Sequence, residues 1–70
     1  MILPIGTRVR LTEEVVNDSV WSYFRGVIGK ITEAFYLQDL IYEVTFTDGE
    51  GNEKVYRFSE DELEVVKEEE

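Results

Sequence analysis

The chain has no cysteine and no histidine, and only one proline, one methionine and one tryptophan among its 70 residues. Without cysteine, neither a disulfide nor a thiolate metal site can staple so short a fold. Without histidine, Ser19, Ser22 and Ser59 lack the usual general base of a nucleophilic site. No apolar run approaches the roughly 20 residues of a membrane-spanning helix. Met1-Ile2-Leu3-Pro4-Ile5 is too short for a signal peptide and lacks its charge pattern. These absences lead us to expect a cytoplasmic, non-enzymatic protein with no cofactor and no membrane insertion. The Asn17-Asp18-Ser19 sequon then reads as chance.

Positive charge is also scarce. The formal net charge is −9, from 7 Lys and Arg against 16 Asp and Glu. Residues 1–32 hold four basic and three acidic side chains, whereas residues 33–70 hold three basic and thirteen acidic. Binding to nucleic acid depends on cations that displace phosphate counterions, so this balance argues against it. Two readings stay open: a solvated acidic face, or a surface for a basic protein partner.

A chain this small buries only about 60% of its unfolded surface, and its stability is on the order of 3–5 kcal/mol. Its core must come from nine aromatics and the aliphatics spread among them. The clearest pattern is a hairpin, Tyr42 to Thr47 and Glu53 to Phe58, joined by Asp48-Gly49-Glu50-Gly51-Asn52. Tyr42, Val44 and Phe46 alternate with polar neighbours, the period of a half-buried strand. The glycines and Asn52 offer the positive-φ positions that a tight reversal needs. Upstream, Val9 and Leu11 alternate with Arg8, Arg10 and Thr12 as a first strand, with Pro4 ahead of it.

Glu13 to Ser22 shows no sustained period and reads as a long loop, with Trp21 either anchoring it or lining a recognition surface. Tyr23 to Thr32 reads as the second strand. A bulge at Gly29 would bring Ile28 and Ile31 to one face, and Gly26 would permit close approach. Glu33 to Leu40, with Phe35-Tyr36-Leu37, reads as a second connection in which at least one apolar side chain is exposed. Ser59 followed by Glu62 has capping-box spacing, room for a single 3₁₀ turn before Val65-Val66 closes the fold. Lys67 to Glu70 should fray. The expectation is one all-β domain over residues 1–66, a five-stranded barrel with a 3₁₀ turn before its last strand and an acidic tail over 67–70.

Carboxylates are plentiful, but acid–base work needs a site that shifts a pKa by burial. Asp48, Glu50 and Asn52 mimic the first three ligand positions of an EF-hand loop. Glu53 then stands where that loop needs glycine, and Ser59 where it needs a bidentate Glu. No metal is expected.

The order of elements resembles an SH3-like barrel over nearly the whole chain. The resemblance rests on Gly6-Thr7-Arg8-Val9, Gly26-Val27-Ile28-Gly29-Lys30-Ile31, Tyr42-Glu43-Val44-Thr45-Phe46 and Asp61-Glu62-Leu63-Glu64-Val65. Met1-Ile2-Leu3-Pro4, Arg8-Val9-Arg10 and Tyr23-Phe24-Arg25-Gly26 look like the start of the SH3-like S subunit of the photosynthetic NAD(P)H dehydrogenase-like complex. Glu60 to Val65 is similar to the ending of the variable chain of ferredoxin–thioredoxin reductase. That resemblance to cyanobacterial and plastid proteins implies a non-catalytic accessory subunit. Docking of acidic ferredoxin would fall to Arg8, Arg10, Arg25 and Lys30. A weaker similarity is to Tudor domains, where an aromatic cage holds a methylated lysine or arginine. Trp21, Phe24, Phe46 and Asn52 stand roughly at its cage positions. The third alternative is a phage-type acidic protein that mimics nucleic acid or blocks a basic surface. The expected partner is another protein, met by Trp21, Tyr23, Phe24, Tyr36, Phe46 and Asn52, with Arg8, Arg10 and Arg25 as cations.

Overall fold

The computed structural model describes residues 2–36 and 38–67. Five strands, β1 (Arg8–Leu11), β2 (Gly29–Tyr36), β3 (Leu40–Thr47), β4 (Glu53–Ser59) and β5 (Leu63–Val65), form one antiparallel sheet in the order β4-β3-β2-β1-β5. A single helical turn, α1 (Glu13–Val16), and a 3₁₀ turn (Ser22–Phe24) lie between β1 and β2, and a second 3₁₀ turn (Glu60–Glu62) precedes β5. This is the expected all-β, five-stranded arrangement with its 3₁₀ turn before the last strand.

Alternation builds the core. Val9 and Leu11 from β1, Ile31 from β2, Tyr42, Val44 and Phe46 from β3, Phe58 from β4 and Leu63 from β5 point inward, joined by Val16 of α1. Each such side chain contributes roughly 1.5–3 kcal/mol when fully buried. The Tyr42 hydroxyl, the one polar tip among them, accepts the Leu3 N–H at 2.9 Å, so its burial leaves an acceptor satisfied. The same bond ties the N-terminal segment onto the sheet.

The structure moves β2 downstream of its expected position. Tyr23 and Phe24 lie in the first 3₁₀ turn, and β2 starts only at Gly29. The expected connection over Glu33 to Leu40 is largely strand, since Ala34 pairs with Tyr42 and Tyr36 with Leu40. The register shift falls between Ile31 and Glu33 rather than at Gly29. Ile28 is accordingly 46% exposed, while Ile31 is sealed in the core. Gly29, not Gly26, is the position of close approach. A Cβ there would lie 2.8 Å from Phe46 Cδ1 and 2.8 Å from Val44 Cγ1, whereas nothing lies within 4 Å at Gly26.

The β3–β4 reversal also works differently. Only Gly51 among its residues takes positive φ, and Asn52 does not. Asp48 organises the turn instead: its Oδ1 accepts the backbone N–H groups of Glu50 and Asn52, both at 2.9 Å. Leu37 and the expected fraying of Glu68 to Glu70 lie outside the described residues.

Candidate functional site

The segment read as a loop is wound into two short turns, and this places Trp21. Thr12 is extended, and its carbonyl accepts the N–H groups of Val15 and Val16, opening α1. Glu13 and Glu14 sit at the positive end of that turn, where carboxylates are favoured. Asp18 Oδ1 then takes the Val20 N–H at 2.9 Å, and the Asp18 carbonyl takes the Trp21 N–H. One helical turn is too short to show a 3.6-residue period, which is why the sequence pattern conceals it. Gly26, at φ +78°, releases the chain toward β2.

Trp21 anchors this segment on the sheet. Its ring lies 5.1 Å from both Tyr56 and Phe58, edge-on, and 5.8 Å from Phe24. Phe24 continues the stack onto Phe46 at 4.8 Å. Phe46 is buried, and Trp21 and Phe24 are half-buried. The three rings compared with a Tudor cage therefore fill the space between one another. Asn52 is engaged in the turn, its side-chain N–H reaching Asp48 Oδ2 at 3.3 Å.

On its open side Trp21 borders a depression of about 330 Å³ lined by Glu14, Val15, Asp18, Asp61 and Glu62. These groups are far apart in the chain. They meet because β1 pairs with β5 and the Thr12 N–H bonds the Glu62 carbonyl at 3.1 Å. The second 3₁₀ turn is the ridge beside this depression. The Glu62 carboxylate accepts the Ser59 N–H at 3.0 Å and the Ser59 side chain accepts the Glu62 backbone N–H, the capping box expected from the sequence; the Ser59 hydroxyl donates its own proton to Asp61 Oδ1 at 2.6 Å. Beyond the ridge lies a second depression, of about 640 Å³, lined by Asp39, Leu40, Ile41, Ser59, Glu60 and Asp61. Six carboxylates thus flank the ridge, and neither lining includes a Lys or Arg. Among the described residues, no three carboxylates converge as a metal-ligand set.

Asp39, Glu60, Asp61, Glu62, Glu14 and Asp18 were not singled out as site residues from the sequence. The pairing of β1 with β5 is what brings Glu14 and Asp18 beside Asp61 and Glu62.

The remaining expected site residues are dispersed. Tyr23 is 88% exposed and lines an apolar notch with Phe24, Val27, Phe46, Thr47, Asp48, Gly49 and Lys54. Tyr36, at the end of β2, is 72% exposed and does not line that notch. The cations divide into separate groups. Arg8 faces Lys30 across the β1–β2 ladder. Arg10 pairs with Glu64 at 3.3 Å, and that hydrogen bond and charge raise the Arg10 pKa further. Arg25 turns back to α1, donating to Asn17 Oδ1 at 2.9 Å and to the Val16 carbonyl at 3.3 Å, with Glu13 at 3.9 Å. Arg25 is therefore committed to holding the Trp21 segment.

No known protein family, curated protein or solved structure matches this chain.

Proposed function

We propose that the chain is a non-enzymatic protein-binding module, an accessory piece of a larger assembly, that receives a basic segment of its partner across the second 3₁₀ turn. The observation that carries this reading is the run of six carboxylates around the ridge, unrelieved by any cation in either lining and bordered by the open side of Trp21. Like charges held this close repel one another, and a partner that brings Lys or Arg side chains relieves the repulsion and steers its own approach. An arginine or lysine entering the Trp21 depression would meet carboxylates on its rim and an aromatic ring at its wall, the arrangement that favours cation–π contact. The apolar stems of such side chains would cover Val15 and Leu40.

A second reading is supported by the same Trp21 wall: a reader of methylated basic peptides. It differs in needing aromatic enclosure, and Trp21 contributes a single ring to this depression. The phage-type inhibitor reading uses the same face against a folded basic surface instead of an extended segment.

The test uses Glu14 and Glu60, because among the described residues the hydrogen bonds that shape the ridge and the Trp21 segment run through Asp18, Ser59, Asp61 and Glu62 instead. Glu14→Lys with Glu60→Lys should weaken binding of a Lys/Arg-rich peptide by about tenfold, with a smaller salt dependence. A control with the same change in net charge, Glu33→Lys with Glu50→Lys, should alter affinity far less. Equal losses in both variants would reduce the effect to overall charge and remove the site. A strong preference for trimethyl-lysine over lysine in the wild type would favour the reader.

A further inference from the structure

The two edges of the sheet are unlike. β5 has three residues, and shortness blunts an edge. β4 has seven, Glu53–Ser59, runs beside β3 without a register shift, and contains no proline. Among the described residues, no strand lies against its far side. Bulges, prolines and brevity protect many edges and β4 has none of these; its protection is charge, from Glu53, Lys54 and Arg57.

Which of its backbone groups face outward follows from the ladder. Asp48 and Asn52 close the hairpin as a bonded rung, with Asp48 N–H on the Asn52 carbonyl at 2.9 Å. Antiparallel rungs alternate, so Phe46–Lys54, Val44–Tyr56 and Tyr42–Phe58 are bonded rungs. Glu53, Val55 and Arg57 then direct their N–H and C=O groups away from β3. Ser59 obeys the same parity, since its N–H is taken by the Glu62 carboxylate rather than by β3. The side chains of Glu53, Val55 and Arg57 all lie on the outer face, and Val55 is 51% exposed.

The order of these residues is self-complementary. Two antiparallel copies of β4 centred on Val55 would set Val55 against the partner's Val55. The same register sets Glu53 opposite the partner's Arg57, and Arg57 opposite the partner's Glu53. All three rungs would use the outward backbone groups. Centring on Arg57 or on Glu53 would oppose like charges, and centring on Tyr56 would lose both ion pairs. Arg57 already lies 3.8 Å from Glu43 and over the Phe35 ring at 4.8 Å. Those contacts hold it on the outer face, and a guanidinium has five donors to share. The net charge of −9 opposes association of two copies, but β4 itself carries two cations and one anion, a local +1.

We infer that the β4 edge is a docking surface for a second copy of this chain, joined as an antiparallel pair about Val55. The three paired residues Glu53, Val55 and Arg57 line neither depression beside the acidic ridge, so either site can fail without the other. Sedimentation of the full chain between about 10 μM and about 1 mM, a range suited to a small interface, should show a monomer–dimer equilibrium. Val55→Pro removes an N–H that β3 does not use, so it should abolish the dimer while circular dichroism stays that of the folded monomer. Arg57→Glu should raise the dimer dissociation constant about tenfold, and adding Glu53→Arg should restore most of it. Amide exchange at Val55 and Arg57, but not at Lys54 or Tyr56, should slow as concentration rises. A monomer throughout this range overturns the inference. So does a dimer that survives Val55→Pro, or one that the charge exchange does not rescue.

Discussion

Placing a methyl group on Gly29 is the sharpest test of how the inner face of the sheet is packed. An alanine Cβ there would sit 2.8 Å from Phe46 Cδ1, 2.9 Å from Phe46 Cε1 and 2.8 Å from Val44 Cγ1. Neither neighbour has room to give. Val44 is fully buried, and Phe46 is held by Phe24 at 4.8 Å and by Tyr56 and Phe58 at 6.4 Å. Overpacking of this kind costs about 1–3 kcal/mol. Against it stands a gain of about 0.4–1 kcal/mol, because alanine has less unfolded-state freedom to lose. The net destabilisation is about 1–2 kcal/mol, a large share of the 3–5 kcal/mol on the order expected for a domain this size. For a 60–100-residue domain that corresponds to a fall in Tm of roughly 4–16 °C. Gly49 is the control: nothing lies within 4 Å of a Cβ there and its φ is not positive, so Gly49→Ala should leave Tm unchanged or slightly raised. Thermal unfolding followed by circular dichroism reads both. A Gly29→Ala protein as stable as the Gly49→Ala protein would refute the packing of β2 against β3.

Two further substitutions probe polar groups. Thr12 Oγ1 is buried without a hydrogen-bond partner, and replacing it with the methyl of Thr12→Val should raise stability by about 1 kcal/mol in urea denaturation. An unchanged or lower midpoint would show that the hydroxyl is satisfied. The Asp48 carboxylate is held below the usual carboxylate pKa, first by the Asn52 N–H and then by that of Glu50. A depressed folded-state pKa adds stability above the unfolded value, and that stability is lost as pH falls through the folded value. The advantage of wild type over Asp48→Asn should therefore be full at neutral pH and shrink as pH drops below about 4. A difference independent of pH would exclude the charge as its source.

What the sequence made legible was the part governed by two-residue alternation. Tyr42, Val44 and Phe46 read as inward-facing and are buried, and the Ser59–Glu62 spacing marked the turn ahead of β5. Elements of only about one turn did not read, because a period shows only when it repeats. Glu13–Val16 is one helical turn, and Ser22–Phe24 is shorter still, so the apolar residues around them suggested a loop and a strand instead. The bulge between Ile31 and Glu33 broke the alternation of β2 and hid its second half. Among the candidate site residues, Trp21 was legible as an anchor, and it packs on Tyr56 and Phe58. The carboxylates around it were not, because Glu14 and Asp61 become neighbours only when β1 and β5 pair.

The central claim, that a basic segment binds over the second 3₁₀ turn, is tested most directly by mapping backbone amide shifts while a Lys/Arg-rich peptide is added. The account predicts saturable shifts confined to Glu14 through Trp21, Asp39 through Ile41 and Ser59 through Leu63, with the Trp21 indole N–H moving among them. Shifts centred on the Tyr23 notch, shifts spread evenly over all acidic surfaces, or none at all would contradict it.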